Sequence, residues 1–229
     1  MLTKEREEAV VSLCQKVIRQ RSYSGEEQGV ANVLKENMQA MGFDEVTIDK
    51  YGNIIGCIKG KRPGKKILFD GHIDTVPVTD ETEWQYPPFA AEIHDGKIYG
   101  RGTSDMKGAV SAMTCAAANF AKDTDKDFAG EIYVAGVVHE ECFEGVAARE
   151  ISKAVQPDYV VIGEASQLNL KVGQRGRGEI VVETFGVPCH SANPEKGVNA
   201  VYKMAQVIEA MRTLEPPHHP VLGDGIVEL

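Results

Sequence analysis

The chain has 229 residues, with 25 Lys or Arg against 34 Asp or Glu, for a formal net charge of −9. That length suits one large domain or one and a half ordinary ones, and the acidic balance speaks against a nucleic-acid partner. The five cysteines, Cys14, Cys57, Cys115, Cys142 and Cys189, are odd in number and lack C-x-x-C spacing, so they read as buried thiols of a reducing compartment.

No apolar signal core opens the chain and no apolar run reaches membrane-spanning length, so the expected location is the cytoplasm, without a membrane partner. Thr3 is placed to cap a first helix whose inner face is Val10, Leu13, Cys14, Val17 and Ile18. A second helix is expected over Glu26 to Met41, ending at Gly42. Strands follow at Glu45 to Ile48 and Asn53 to Ile58 around a Lys50-Tyr51-Gly52 turn, and a third runs from Lys65 to Asp70. The polar, proline-bearing stretch from Val76 to Ala90 is expected as a surface loop in which Trp84 packs locally. A hairpin at Asp95-Gly96 precedes the glycine-rich Gly100 to Gly108 turn. That turn lacks the Gly-Lys-Ser/Thr ending of a phosphate cradle and carries Asp105 instead. An alanine-rich helix over Lys107 to Ala121 would pack through Val110, Met113, Ala117 and Phe120.

Three apolar runs then share one property: each ends on groups that ligate metals. Ile67-Leu68-Phe69 leads to His72, Ile132 to Val138 leads to His139-Glu140-Glu141, and Tyr159-Val160-Val161-Ile162 leads to Glu164. Continuous apolar runs are expected as strands covered on both faces of a parallel or mixed sheet, and ligands bind at the carboxyl ends of such strands. Taken singly, His72 reads as a satisfied strand-end histidine and Glu140-Glu141 as a solvated pair. Gathered with Asp105 and Glu164 they form an anion cluster that a divalent cation would relieve. Imidazole and carboxylates without thiolates suit zinc, manganese, cobalt or iron. Asp74, two residues after His72, is expected to point the same way and accept its second ring N–H.

Gly71-His72-Ile73-Asp74-Thr75-Val76-Pro77 and Tyr99-Gly100-Arg101-Gly102-Thr103-Ser104-Asp105-Met106-Lys107-Gly108 resemble the first two signatures of a zinc peptidase and deacylase family. It includes acetylornithine deacetylase, succinyl-diaminopimelate desuccinylase, aminoacylase-1 and glutamate carboxypeptidase. His139-Glu140-Glu141, Gly163-Glu164-Ala165-Ser166 and Gly186-Val187-Pro188-Cys189-His190-Ser191 match later signatures in the same order. Within the family the chain looks most like a subgroup linked to selenium metabolism. The resemblance implies an α/β fold with a mixed, largely parallel sheet flanked by helices, the zinc-exopeptidase arrangement. It also implies a catalytic metal-binding domain over residues 1–176 and the start of a lid and dimerisation domain over 177–229. In that second domain a strand at Glu179 to Phe185 precedes a helix at Val198 to Arg212 with Val198, Val201, Ala205, Ile208 and Met211 as its stripe, and Ile226-Val227-Glu228-Leu229 would begin another strand.

The mechanism implied uses two divalent cations, zinc first and cobalt or manganese next, roughly 3.5–4 Å apart and bridged by Asp105. His72 and Glu164 would serve one cation and Glu141 the other, Glu140 would be the general base for the attacking water, and Asp74 would orient His72. His190 would reach the partner subunit's site in a homodimer and stabilise the oxyanion. The implied reaction is hydrolysis of an amide in a small N-acylated amino acid or short peptide. The alternatives are a carbamoyl-type amidohydrolase on the same site, or an inactive fragment or metal-binding regulatory relative. The family's last metal-ligating histidine has no counterpart here, because His218 and His219 sit in a proline-flanked loop. Residues 1–229 alone are therefore expected to be truncated and inactive.

Overall fold

The structure is a computed structural model that describes residues 2–143 and 145–228. It divides into two compact units, residues 1–167 and 168–229. In the first unit the order is α1 (Lys4–Ile18), α2 (Gln28–Ala40), β1 (Glu45–Ile48), β2 (Ile54–Lys59), β3 (Arg62–His72), β4 (Glu92–His94), β5 (Lys97–Tyr99), α3 (Lys107–Asp123), β6 (Ala129–Val137), α4 (Val146–Val155) and β7 (Tyr159–Ile162). A five-stranded sheet runs β1-β2-β6-β3-β7. β3 lies parallel to both β6 and β7, whereas β2 is antiparallel to β1 and β6. Four strands therefore point one way and β2 alone runs against them, so the sheet is mixed and largely parallel as expected.

Local chemistry accounts for the helix limits. Thr3 accepts the Arg6 N–H at the start of α1, and Gly42 takes a positive φ of 87° just past α2. Leu13, Cys14, Val17 and Ile18 of α1 are buried. α1 packs on α3, α2 lies over β1 and β2, and α3 and α4 pack against β3 and β6. One apolar cluster joins them, with Leu34, Met38, Ile54, Ile58, Ile73, Met106 and Val134 at or near zero exposure.

Several expectations are corrected. β7 is not covered on both faces: Tyr159 to Ile162 are 43–61% exposed, and β7 is one of the two edge strands. Phe120 is only half-buried, at 46% exposure: it rests on Phe128 and lines a cavity with Ile67, Phe69 and Ile132 of the sheet. Cys14, Cys57 and Cys115 are buried thiols, but Cys142 and Cys189 are exposed. Helix α4, which sequence periodicity had not singled out, buries Ala147, Ile151 and Val155.

The second unit contains α5 (Ala200–Arg212), β8 (His218–His219) and β9 (Gly223–Asp224). Glu179 to Phe185 forms no strand, and β8 pairs with β9 where a loop was expected. Residues 226–228 form no strand, and Leu229 lies outside the described residues. The apolar stripe of α5 is not buried, with Val201 at 72% and Ile208 at 42% exposure. A helix keeps its period whether or not its apolar face finds a neighbour. No helix among the described residues is long and apolar enough to cross a membrane.

Candidate metal centre

The register of the sheet delivers the site. His72 pairs with Val137 across the parallel β3–β6 ladder, so β3 and β6 end at the same level. Asp70 pairs with Ile162, and the Gly163 N–H donates to the Asp70 carbonyl, so β7 ends beside them. The segments after these three strands carry Asp74, Glu140-Glu141 and Glu164. The fourth arm is the turn before α3, and its approach depends on Gly71: a Cβ there would come within 2.4 Å of Met106 Cε and 2.8 Å of Val110 Cγ2. Glycine at this position lets Met106 lie against β3, which sets Asp105 over His72.

Two groups of donors result. His72, Asp105 and Glu141 each offer an atom within 4.8 Å of the others, and so do His72, Glu140 and Glu164. The adjacent glutamates thus turn to different partners, as their position at a strand end suggested. Glu140 approaches His72 and Glu164, and Glu141 approaches His72 and Asp105. His72 Nε2 lies 2.8 Å from Asp105 Oδ1 and 3.5 Å from Glu164 Oε1. His190 falls in the second unit, where its Nδ1 accepts the Ala192 N–H at 3.1 Å.

Asp74 faces His72 as expected, through both its main chain and its side chain. The His72 Nδ1–H donates to the Asp74 backbone carbonyl at 2.9 Å, while the carboxylate Oδ1 is 3.5 Å away. The fully buried carboxylate also accepts the Glu140 and Glu141 N–H groups, at 3.1 Å each, and the Ser24 hydroxyl at 2.7 Å. Asp74 therefore holds His72 chiefly through its carbonyl, with the carboxylate beside the ring, and ties the diglutamate turn through its side chain. Burial opposes its ionisation, but these donors together with His72 hold its carboxyl below the usual carboxylate range.

The donor set fits a cation. Burial would lower the His72 pKa, but Asp74, Asp105 and the charge of Glu164 prevail and push it up to about 10. Burial raises Glu141 and Glu164, and the neighbouring carboxylates add to it against the opposing pull of His72. A proton on His72 thus holds the centre of an anionic cluster, in the place where an imidazole-and-carboxylate site takes a metal. Asp70, just below, has a buried Oδ1 without a hydrogen-bond partner, and burial first, then Glu164, pushes its pKa up to about 6.

Behind the cluster lies a brace that no motif announced. Lys107 is fully buried, and its Nζ donates to the Val17 and Gln20 carbonyls and to Ser22 Oγ, at 3.1 Å each. Ser22 Oγ in turn donates to the Ile73 carbonyl at 2.7 Å, and the Ser22 carbonyl accepts the Thr75 N–H at 2.8 Å. The ammonium ties the end of α1 to the turns that carry Asp74 and Asp105, and burial lowers its pKa to about 8. Lys107→Met leaves three acceptors without this donor, so a loss of at least about 2 kcal/mol is expected, read as a lower urea midpoint for the first unit. Ser22, Ser24 and Lys107 went unassigned in the sequence because a hydroxyl or amine reveals its partner only after the chain has folded. Lys107 alone carried a signal, as a lysine placed two residues after a candidate ligand.

Comparison with known proteins agrees with the fold. Residues 68–224 match the model of peptidase family M20/M25/M40. The uncharacterized protein YgeY of Escherichia coli K12 is 36% identical over 195 residues, covering 84% of this chain and 48% of that protein. Succinyl-diaminopimelate desuccinylase 2 of Ruegeria sp. is 31% identical over 211 residues, covering 87% of this chain and 53% of that protein. The fold resembles that of the M20 family metallo-carboxypeptidase Sso-CP2 from Sulfolobus solfataricus, with a TM-score of 0.66 at 21% identity, covering 91% of this chain and 50% of that one. The chain spans about half the length of the curated relatives it matches. With over half of its residues matching the family model, this chain belongs to peptidase family M20/M25/M40.

Proposed function

We propose that the protein carrying this chain is a metal-dependent hydrolase that cleaves the amide bond of a small N-acylated amino acid or short peptide. The observation that carries this reading is the convergence of His72, Asp105, Glu140, Glu141 and Glu164 at one sheet edge, with donor atoms grouped within 4.8 Å. Two divalent cations, zinc by preference, would be held there: Asp105 between them, His72 and Glu164 on one side, Glu141 on the other. When bound, such ions polarise the scissile carbonyl and acidify the attacking water.

The chain's own residues do the rest. Glu140 accepts a proton from the attacking water as its oxygen bonds to the carbonyl carbon, then passes that proton to the amine nitrogen as the C–N bond breaks. Asp74 holds the Glu140 and Glu141 main chain in place, so the base and its neighbour cannot exchange positions. His190 would stabilise the oxyanion of a partner subunit in a homodimer, and the expected location is the cytoplasm. A carbamoyl-type amidohydrolase would use the same groups. A screen of N-acyl amino acids, dipeptides and carbamoyl amino acids decides between them. Turnover confined to carbamoyl substrates favours the second reading, and absence of turnover in all three classes by a metal-loaded protein overturns both.

A further inference from the structure

Beside the metal cluster lies a second cavity, of about 180 Å³, lined by Thr75, Val76, Ser104, Asp105, Glu141 and, as its one cationic side chain, Arg101. Arg101 forms no ion pair with any described residue, although the centre next to it is crowded with carboxylates. Its Nε is buried without a hydrogen-bond partner. One Nη reaches the Pro77 carbonyl at the long distance of 3.5 Å, and the guanidinium stacks over Trp84 at 5.2 Å. A guanidinium carries five donors in a fixed fork, and an Nε–H buried without an acceptor is costly. Trp84 supports the plane of the group but accepts none of its N–H bonds in the plane. The Arg101 N–H donates to the Pro88 carbonyl at 2.8 Å, which anchors the residue to the loop that carries Trp84.

We propose that Arg101 is a substrate-binding residue that takes the carboxylate of the substrate, with Trp84 holding its fork in place. The proposal rests on the hydrolase reading for the substrate class. The cavity suits this ligand: it has room for a carboxylate and the carbon that bears it, and it shares Asp105 and Glu141 with the metal cluster. A molecule whose carbonyl lies at the cluster would therefore place a carboxylate a short distance away at Arg101. Asp105 and Glu141 repel an anion only until cations neutralise them, so binding of the carboxylate should require the metals.

The sequence supplies its own reporter, because Trp84 is the single tryptophan of the chain. The probe is 4-oxopentanoate, which has a ketone in place of the amide and cannot be hydrolysed, compared with pentan-2-one, the same skeleton without the carboxylate. With zinc-loaded protein, 4-oxopentanoate is expected to change Trp84 emission saturably and pentan-2-one is not. Arg101→Gln should weaken 4-oxopentanoate by about tenfold or more by calorimetry, with zinc content unchanged. Arg101→Lys keeps the charge and loses the fork, so it should fall between, and it serves if the Gln variant does not fold. Equal affinity of parent and Arg101 variants for 4-oxopentanoate means that the carboxylate sits on zinc alone and overturns the proposal. Because this readout is binding, a protein that hydrolyses none of the screened amides leaves the outcome for Arg101 standing by itself.

Discussion

Replacing Glu140 by Gln is expected to leave the metal content of the protein intact and to lower turnover by roughly 100- to 10,000-fold, the range that general-base catalysis supplies. Replacing Glu141 by Gln is expected to lower both metal content and turnover. The two residues are neighbours in sequence, share an anchor in Asp74 and each belong to a donor group that includes His72. The reason for the difference is chemical. A glutamine is nearly the shape of a glutamate but cannot accept a proton from water, and as a ligand it brings a neutral oxygen where a charge is needed. Metal analysis beside initial rates on an N-acetyl amino acid separates the cases. Equal metal loss in both variants reverses the assignment and makes Glu140 a ligand.

Loss of metal is the second large effect. His72→Ala and Asp105→Ala are each expected to abolish tight zinc binding, because His72 belongs to both donor groups and Asp105 is the carboxylate nearest its ring. The pH dependence follows from the proton that His72 carries without metal. Its pKa stands at about 10, above the ordinary 6.5, so the proton is held across the neutral range and must leave when a cation takes the nitrogen. Zinc affinity should therefore weaken about tenfold for each pH unit lowered between about pH 8 and pH 6, with proton release detectable in weak buffer. In the metal-free chain the sign is opposite. The raised pKa contributes stability that is complete below 6.5 and is lost as pH rises through about 10. Zinc binding independent of pH in this window would show that His72 is not a ligand. Parent-like zinc content in both Ala variants would remove the centre altogether.

Much of this was legible in the residue order. The apolar runs at Lys65 to Asp70 and Ile132 to Val138 announced β3 and β6, because strands buried in a sheet need continuous apolar faces. The groups that follow them announced the site, because ligand types at strand ends converge whenever the strands are parallel neighbours. The helical period found α1, α3 and α5 for the same local reason. What the order of residues did not contain was partnership. Nothing local says that β7 is an edge strand and leaves Val160 and Val161 half exposed, since an apolar run reads the same with or without a neighbour. A two-residue spacing put Asp74 on the same side as His72, but only the folded chain decides that its carboxylate turns to the N–H groups of Glu140 and Glu141, 66 and 67 positions away. Lys107 and Arg101 are two cations of one turn, alike in sequence. Tertiary structure gives the first three acceptors at the end of α1 and leaves the second over Trp84 beside an acidic cavity. Local sequence sets what each segment prefers; the long-range hydrogen bonds of buried polar groups set what each side chain does, and these exist only once distant segments are packed together.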